Sequence, residues 1–298
     1  MEKTLRTKRH KNAIQAHPCF SESAHRKFGR IHLPVAPACN IQCRYCVRKY
    51  DCANESRPGI TSMVMTPDEA LERVRILVDR NDRLSVIGIA GPGDPLANDT
   101  TFEVLRAVGR EFPDIILCLS TNGLYLTERL DDIVRAGVRS LTITINALTA
   151  EVAEKIYSWV IHGGRRYTGA EAAEILVCNQ KRGLRNAIDA GLIVKINTVF
   201  IPGINDAEIP LIAWLAGTKG ADIMNIMPLI PQAEFGHLRR PSHEMINKMR
   251  AECRKHITQM THCRQCRADA FGVIGEDGDM ENEMLNARIG EYYCEMVG

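Results

Sequence analysis

Three cysteines at short, regular spacing are the residues of this sequence best suited to chemistry. Cys39, Cys43 and Cys46 form the pattern C-x3-C-x2-C, which lets three thiolates converge on one compact metal centre. Four thiolates would saturate a 4Fe–4S cluster, whereas three leave one iron open. An open coordination position distinguishes a catalytic metal centre from a structural one. The loop therefore predicts a reactive iron–sulfur cluster; the alternatives are a zinc site completed by a histidine and three unrelated thiols.

The cysteines outside this loop form a second group of possible ligands. The chain has 11 cysteines in 298 residues, and no apolar segment of a secretory signal opens it. We therefore expect a cytoplasmic protein, whose thiols bind metal rather than form disulfides. Six residues are further ligand candidates: His17, Cys19, Cys52, Cys118, Cys263 and Cys266. Cys178 and Cys253 fall within predicted helices and are expected to be buried apolar side chains.

These residues must be positioned by an alternation of helices and short apolar strands. Thr66 as N-cap, Pro67 at the first helical position and Glu69 in a capping box mark the first helix. Further helices are predicted at 102–111, 127–136, 170–190 with a possible interruption at Gly183, 207–216 and 242–256. Strands are predicted at 30–35, 84–90, 115–119, 141–145, 193–200 and 223–227. Alternating strands and helices indicate βαβ units and a parallel sheet.

Six such units predict an α/β fold, a partial (β/α)6 barrel over residues 30–256. Residues 1–29 and 257–298 are expected to be extensions that cover the barrel and carry cluster ligands. In parallel sheets the chemistry lies at the carboxyl ends of the strands. Several residues lie at or near those predicted ends and could line a site there: Gly91, Gly93, Asp94, Ser120, Asn122, Asn146, Lys195, Asn197 and Met227. The alternatives are ordinary tight turns for the glycine and asparagine motifs and core packing for Met227.

The charge balance and the lengths of the apolar runs argue against two classes of partner, nucleic acids and membranes. The formal net charge is +2, with 45% hydrophobic and 25% charged residues, as in ordinary globular enzymes. Such a balance does not predict binding to nucleic acid through phosphate contacts. No apolar run reaches the length of about 18 residues that a membrane span needs. We expect neither a nucleic-acid partner nor a membrane partner.

The cysteine loop at the end of a first barrel strand, with Tyr45 just before its last cysteine, resembles the radical S-adenosyl-L-methionine (SAM) superfamily. The resemblance implies that the open iron binds the amino and carboxylate groups of SAM. Reduction then breaks the sulfonium bond and gives a 5′-deoxyadenosyl radical. It also implies that the glycine-rich loop at Gly91 accepts from the SAM amino group and that Met227 covers the adenine. Ser120, Asn122 and Asn146 would meet the ribose or the carboxylate. The resemblance likewise implies that Gly93, Asp94, Lys195 and Asn197 belong to the cofactor-binding set.

Longer motifs resemble the NifB family of nitrogenase cofactor maturases over nearly the whole chain. They are HPCF, CNIQCRYCVRKYDCANESRPG, AGPGDPLAN, LSTNGL and CRQCRADA. This resemblance implies three 4Fe–4S clusters, of which Cys39, Cys43 and Cys46 hold the SAM-binding one. The six further candidates would hold two substrate clusters, K1 and K2. By chain placement we assign one set to His17, Cys52 and Cys118, and the other to Cys19, Cys263 and Cys266.

The same resemblance implies an activity and partners. One SAM donates a methyl group to a cluster sulfide, and a radical from a second SAM removes hydrogen from that methyl. The carbon becomes a carbide as two clusters fuse, with an added sulfur, into the 8Fe precursor NifB-co. Cluster donors, an electron donor and a cofactor carrier or scaffold protein are the expected partners. The sequence ends soon after its CxxC motif, which predicts the short form without a NifX-like domain.

Two residues near Cys52 are candidates for catalysis. Glu55 is a possible base for proton loss from the methyl-derived carbon, and Arg57 a possible counter-charge for a cluster. Their alternative roles are an ion pair with each other or, for Glu55, a helix cap. Two other functions remain open for the chain. One is a radical SAM enzyme whose auxiliary clusters serve a peptide or a small molecule, and the other is a non-catalytic zinc or iron–sulfur scaffold.

Overall fold

A curled, mostly parallel sheet is the centre of the computed structural model, which describes residues 10–56 and 59–273. The strands are β1 (Gly29–His32), β2 (Ile41–Cys43), β3 (Leu84–Ile89), β4 (Ile116–Thr121), β5 (Val138–Thr144), β6 (Tyr157–His162), β7 (Arg165–Thr168), β8 (Ile193–Phe200), β9 (Ile223–Pro228) and β10 (Phe271–Val273). The main sheet has the order β10-β1-β3-β4-β5-β8-β9, and only β10 is antiparallel to its neighbour. Six parallel strands confirm the predicted open half-barrel.

Two of the described helices precede β1, and the other seven lie between or after the later strands. The helices are α1 (10–16), α2 (Glu22–His25), α3 (Pro67–Arg80), α4 (Asp99–Glu111), α5 (Leu130–Arg135), α6 (Ala150–Ile156), α7 (Gly169–Asp189), α8 (Ile209–Lys219) and α9 (His243–Cys253). The predicted capping box is present at the start of α3. The possible interruption at Gly183 is absent, since α7 runs through it. A Cβ at Gly183 would lie 2.8 Å from Cβ of Leu126, so glycine there permits close packing rather than a break.

Strand β8 is buried along its whole length although it carries polar side chains. All eight of its residues are buried, including Lys195 and Asn197. A buried strand normally needs only apolar residues, because an unpaired polar group loses its hydration. Polar groups on such a strand therefore point to a cavity inside the barrel.

A second sheet, of order β2-β6-β7, was not predicted. Strands β6 and β7 form a hairpin between β5 and α7, closed by Gly163 and Gly164 at φ of 55° and 74°. Two consecutive residues with positive φ suit a tight hairpin turn. Strand β6 pairs with β2, which carries Cys43. The hairpin thereby fixes the cysteine loop to the body of the barrel.

The segment after α9 crosses the barrel from one edge of the main sheet to the other. Its start is bound to β9, where Met224 N–H donates to Thr258 O and Met260 N–H to Met224 O, both at 2.8 Å. Its end is bound to β1, where His32 N–H donates to Ala270 O at 2.8 Å. The segment carries the CxxC pair between these anchors. The proposed division at residues 29 and 256 stays a prediction.

Two further predictions concern cysteines in helices. Cys253 in α9 is fully buried, as expected, whereas Cys178 in α7 is exposed and the prediction of its burial is wrong. Cys178 lies on the solvent side of α7, between the buried residues Val177 and Gln180. Arg57 and Cys294 lie outside the described residues. No helix within the ranges 10–56 and 59–273 is both long enough and apolar enough to cross a bilayer.

Candidate metal centre and cofactor site

The three cysteines of the loop line one open cavity of about 460 Å³ at the carboxyl end of the barrel. Cys43 and Cys46 are buried and Cys39 is half-buried. Burial raises the pKa of Cys39 to about 12, and the nearby Asp94 carboxylate adds to the effect. Clustered buried thiols are inert unless a cation stabilises their thiolates. The donor set therefore fits an iron–sulfur cluster held by three cysteines.

Side-chain amides hold the cysteine loop in shape. Gln42 Nε2 donates to the carbonyl oxygens of Cys43 and Cys46, each at 2.9 Å. Asn122, predicted to bind the cofactor, donates from Nδ2 to Asn40 Oδ1 at 2.7 Å and lies 3.9 Å from Cys39 Sγ. Donors near a cluster sulfur stabilise its negative charge. In the described structure Asn122 therefore acts on the ligand loop, and its direct contact with SAM stays a prediction.

Arg48 is a residue of this cavity that the sequence reasoning missed. Its guanidinium donates to Pro37 O at 3.1 Å and to the Cys46 thiol. It also lies within electrostatic reach of Cys39 and Cys52. A cation in this place offsets the charge of thiolates and of a carboxylate ligand. Its position two residues after Cys46 could have identified it as a site residue.

The loop after β3 lies directly against the cysteine loop. Gly93 N–H donates to Ala36 O at 2.5 Å, and Asp94 N–H donates to Ala38 O at 2.8 Å. A Cβ at Gly93 would lie 2.1 Å from Ala38 O. Gly91 is placed differently, because its carbonyl oxygen accepts from Ala36 N–H at 3.3 Å. Gly93 therefore lines the cavity, while Gly91 joins the two loops.

We predict that Gly93→Ala separates the two loops. Overpacking of this kind should lower the free energy of unfolding by about 1–3 kcal/mol and weaken SAM binding to the reconstituted protein. Denaturant titration and calorimetric SAM titration measure the two effects. Gly236→Ala is the control, because Gly236 has right-handed helical dihedrals and its Cβ would lie 3.3 Å from Ala233 O. Equal SAM affinity in wild type and Gly93→Ala would contradict the close approach.

Asp94 uses its carboxylate to connect two loops. It accepts from Leu96 N–H at 2.9 Å, from Asn122 N–H at 2.6 Å and from Thr121 Oγ1 at 3.0 Å. Burial raises the pKa of Asp94 to about 6, although these hydrogen bonds favour the ionised form. Asp94 lines the cavity, but its described contacts are structural. Its contact with SAM stays a prediction.

Asn146 lies beneath the first cavity rather than in its wall. Its Nδ2 donates to the Tyr45 hydroxyl at 2.7 Å, and its Oδ1 accepts from Val199 N–H at 2.8 Å. The Tyr45 hydroxyl in turn donates to Asn54 Oδ1 at 2.7 Å. This chain of hydrogen bonds fixes the tyrosine that precedes Cys46. The predicted contact of Asn146 with SAM is untested, and its amide already has protein partners.

A second cavity, of about 680 Å³, adjoins the first, with which it shares Glu55 and Ser120. Five of the six further ligand candidates line it: His17, Cys19, Cys118, Cys263 and Cys266. They come from the N-terminal arm, from β4 and from the segment after α9. Within 10–56 and 59–273, no three His, Cys, Asp or Glu side chains converge on one ion-sized point. Four thiols and one imidazole around one cavity form a donor set of the type that holds iron–sulfur clusters.

His17 is suited to bind a metal through a neutral imidazole ring. Its Nδ1 accepts from Cys19 N–H at 3.1 Å, and its buried Nε2 has no hydrogen-bond partner among the described residues. Burial, together with Lys195 and His32, lowers the pKa of His17 to about 3. Metal ligation requires the neutral imidazole. The orphaned ring nitrogen is therefore an observation in favour of a bound metal group.

Cys52 lies in the first cavity, apart from the other five candidates. Burial raises the pKa of its thiol well above the ordinary value, and Cys46, Cys39 and Cys43 add to the effect. The assignment by chain placement put Cys52 with His17 and Cys118. In the described conformation these residues line different cavities. The division of ligands between two auxiliary clusters stays a prediction.

Lys195, Asn197 and Met227 line the second cavity and not the first. Burial acts to lower the pKa of Lys195, but Cys19 and Glu55 hold it above the ordinary value. A buried ammonium beside thiols is suited to balance the charge of an anionic cluster. The predicted contact of these three residues with SAM is untested, and the structure places them nearer the auxiliary ligands.

Glu55 lies on the boundary between the two cavities and lines both, as Ser120 does. Its carboxylate accepts from Ser120 Oγ and, at 2.8 Å, from Asn197 Nδ2. Burial raises the pKa of Glu55, while Lys195 and these hydrogen bonds oppose the shift. A carboxylate with a raised pKa is a stronger proton acceptor. The position suits the role of base that the sequence suggested.

Two cavity residues on β1 were missed by the sequence reasoning. Arg30 donates from Nη2 to Cys266 Sγ at 3.2 Å and from Nη1 to Gly272 O at 2.7 Å. His32 contacts Arg267 O through Nδ1 at 3.0 Å, and its ring lies near Gly88. Both line the second cavity. An arginine and a histidine are unexpected in a short strand predicted as apolar. Their presence there could have identified them as site residues.

Comparison with known proteins identifies relatives over most of the chain. The radical SAM superfamily matches residues 33–215. The FeMo cofactor biosynthesis protein NifB of Klebsiella pneumoniae is 48% identical over 279 residues, which are 91% of this chain and 60% of that protein. NifB of Chlorobaculum tepidum is 42% identical over 281 residues, 93% of this chain and 66% of that protein. The chain thus spans less than two thirds of the length of either relative.

Solved structures with low sequence identity share the fold. SuiB of Streptococcus suis bound to S-adenosylmethionine superposes with a TM-score of 0.56 and 11% identity, over 78% of this chain and 50% of that chain. A radical SAM methyltransferase from Sphaerobacter thermophilus has a TM-score of 0.51 and 18% identity, over 78% of this chain and 64% of that chain. The chain's sequence matches, to the radical SAM superfamily over residues 33–215 and to NifB proteins at 42% and 48% identity, show that it belongs to the radical SAM superfamily and, within it, to the NifB family.

Proposed function

We propose that this chain is a radical SAM enzyme of nitrogenase cofactor biosynthesis. In this proposal it inserts a SAM-derived carbide while two 4Fe–4S clusters fuse into an 8Fe precursor. The observation that supports it most is the pair of adjacent cavities. One is lined by the three loop cysteines and Cys52, the other by four cysteines and His17, and Glu55 lines both. An enzyme that needed only SAM and an organic substrate would not require so many sulfur donors at its second site.

The first cavity is proposed to hold the resident cluster and SAM. Cys39, Cys43 and Cys46 would hold the cluster, which supplies the electron that cleaves SAM to methionine and a 5′-deoxyadenosyl radical. Gln42 and the hairpin hold the loop in place, so that the three thiols line the same cavity. Arg48 provides a positive charge at the wall of the cavity. Rigid positioning of this kind is what a reactive intermediate requires.

The second cavity is proposed to hold the substrate clusters. Cys19, Cys118, Cys263 and Cys266 supply thiolates, and His17 supplies an imidazole. A mixed set of ligands from three chain segments binds a cluster less tightly than four thiolates on one loop. Lys195 and Arg30 are buried in the wall of this cavity, where they would offset the negative charge of thiolate-bound iron. The site is therefore suited to hold clusters that must leave as product.

Glu55 is proposed to accept a proton from the carbon that arises from the methyl group. It lies at the wall shared by the two cavities, where a group passing between SAM and a substrate cluster would come close to it. Asn197 and Ser120 fix its carboxylate. Cluster donors, an electron donor and a cofactor carrier in the cytoplasm are the proposed partners, and Arg57 remains a proposed counter-charge.

The products formed from SAM test this proposal. The anaerobically reconstituted protein, given SAM and dithionite, should form both S-adenosylhomocysteine and 5′-deoxyadenosine. Methyl transfer gives the first product and radical formation gives the second. Loss of protein-bound iron to a low-molecular-weight fraction should accompany turnover. If 5′-deoxyadenosine forms alone and the iron stays bound, the chain is a radical SAM enzyme of another kind.

A further inference from the structure

The outward side of the small sheet combines an exposed cation with partly exposed apolar groups. Gln42 lies opposite Trp159, and Ile161 lies opposite Arg166 in the strand registers. Directly opposite residues share a face of a sheet, as do alternate residues of one strand. Val160, between Trp159 and Ile161, is fully buried, so these four residues lie on the side away from the core. We name them the outer hairpin face.

The charge of the hairpin is positive. Residues 157–168 include Arg165 and Arg166 and no aspartate or glutamate. The Arg166 guanidinium lies 4.9 Å from the ring centroid of Trp159, and Arg165 lies 5.0 Å from that of Tyr167. Stacking on an aromatic ring fixes the orientation of a guanidinium in the protein without a bound partner. Ordered arginines beside a tryptophan are typical of the residues that dominate protein interfaces.

The outer hairpin face lies close to the cysteine loop. Strand β7 is separated from β2 by β6 alone, so it lies about 10 Å away at two strand spacings. Gln42 belongs to the outer hairpin face, and its Nε2 donates to the carbonyl oxygens of Cys43 and Cys46. Electron transfer weakens steeply with distance, so a redox partner must dock where the cluster is nearest the surface. The outer hairpin face is suited to this role, because Gln42 joins it by hydrogen bonds to the backbone of Cys43 and Cys46.

We propose that the outer hairpin face is the docking surface for an acidic electron-donor protein. This inference rests on the proposed function, because it assumes a reducible cluster on Cys39, Cys43 and Cys46. One electron leaves the reduced centre of the donor, which is oxidised by one unit, and enters that cluster. The same electron then reduces the sulfonium of SAM. Its carbon–sulfur bond breaks to give methionine and one 5′-deoxyadenosyl radical.

Charge reversal at the exposed Arg166 tests the docking surface. The assay compares 5′-deoxyadenosine formation driven by a reduced acidic ferredoxin with that driven by dithionite. Arg166→Glu should raise the apparent KM for ferredoxin about tenfold at low salt and leave the dithionite-driven rate unchanged. Arg166→Gln, which removes the charge without reversing it, should give a smaller increase. High salt should reduce the difference between variants and wild type.

Arg139→Glu is the matched control. Arg139 is exposed near the start of β5, at the end of the barrel opposite the cysteine loop, and its reversal should leave the KM for ferredoxin unchanged. An unaltered KM in Arg166→Glu would overturn the inference, as would an equal increase in Arg139→Glu. A loss of the dithionite-driven rate in Arg166→Glu would also overturn it, since the residue would then act on the site. A wild-type protein that cleaves no SAM with dithionite would instead refute the proposed function.

Discussion

Cys46→Ala is expected to abolish reductive SAM cleavage and to remove about four irons per chain, the content of one 4Fe–4S cluster. Cys46 lies in the wall of the first cavity with Cys39 and Cys43. Only two thiolates of the loop remain and they hold a cluster poorly, and without a cluster no electron reaches SAM. Iron analysis after anaerobic reconstitution and chromatography of 5′-deoxyadenosine measure the two losses.

Cys178→Ala is the control for this experiment. Cys178 is exposed on α7 and lines neither cavity, so the variant should keep wild-type iron and activity. Residual cleavage above background in Cys46→Ala would mean that the cluster is not held as described. An equal loss of iron in Cys178→Ala would show that reconstitution loads iron on thiols without regard to position.

The second large effect is expected at Cys118. Cys118→Ala should lower the auxiliary iron content by up to about four per chain while 5′-deoxyadenosine formation continues. Cys118 lies on β4 and lines the second cavity, near Lys195 and Glu55 and away from the loop cysteines. Formation of the 8Fe product should cease, because one substrate cluster has lost a ligand.

Mössbauer spectra of ⁵⁷Fe-reconstituted wild type, Cys118→Ala and Cys178→Ala distinguish the outcomes. The SAM-responsive cluster signal should persist in all three, and an auxiliary signal should weaken in Cys118→Ala alone. Retention of all iron in Cys118→Ala would remove this residue from the ligand set. Loss of the SAM-responsive signal would show that the two cavities do not act as separate sites.

Local sequence signals predicted the frame of the barrel. The capping box at Thr66 and Glu69 is present, and β8 has the predicted bounds. Alternating strands and helices predicted the six parallel strands of the barrel, because each element carries its own apolar pattern and caps. The motif of Cys39, Cys43 and Cys46 likewise lies within eight residues, and its three thiols line one cavity.

Other elements depend on partners that are distant in the sequence. The hairpin of β6 and β7 had a local signal, a Gly-Gly pair between two short strands, but its pairing with β2 joins residues more than 110 positions apart. Strand β10 has three residues and forms by pairing with β1. Such short strands form only because an existing edge provides their hydrogen bonds. Their own composition does not specify them.

The walls of the two cavities were the least predictable part of the site. Cys52 follows Cys46 by six residues and lies in the first cavity, whereas Cys118 lies in the second. Lys195 and Asn197 belong to one strand and face the auxiliary ligands rather than the SAM loop. Chain position identifies the end of the barrel at which a residue lies. The direction of its side chain depends on the twist and curl of the sheet.

Transfer of an isotope label from the SAM methyl group to the iron cluster tests the proposed function most directly. The anaerobic protein, loaded with iron and sulfide, would receive dithionite and SAM labelled with ¹³C at the methyl carbon. Electron–nuclear double resonance of the cluster fraction should show ¹³C coupled to iron, since the two adjacent cavities are proposed to join that carbon to the substrate clusters. If the labelled carbon is recovered only in methionine and in unmodified SAM, with no coupling to iron, the proposed cofactor-building function is wrong.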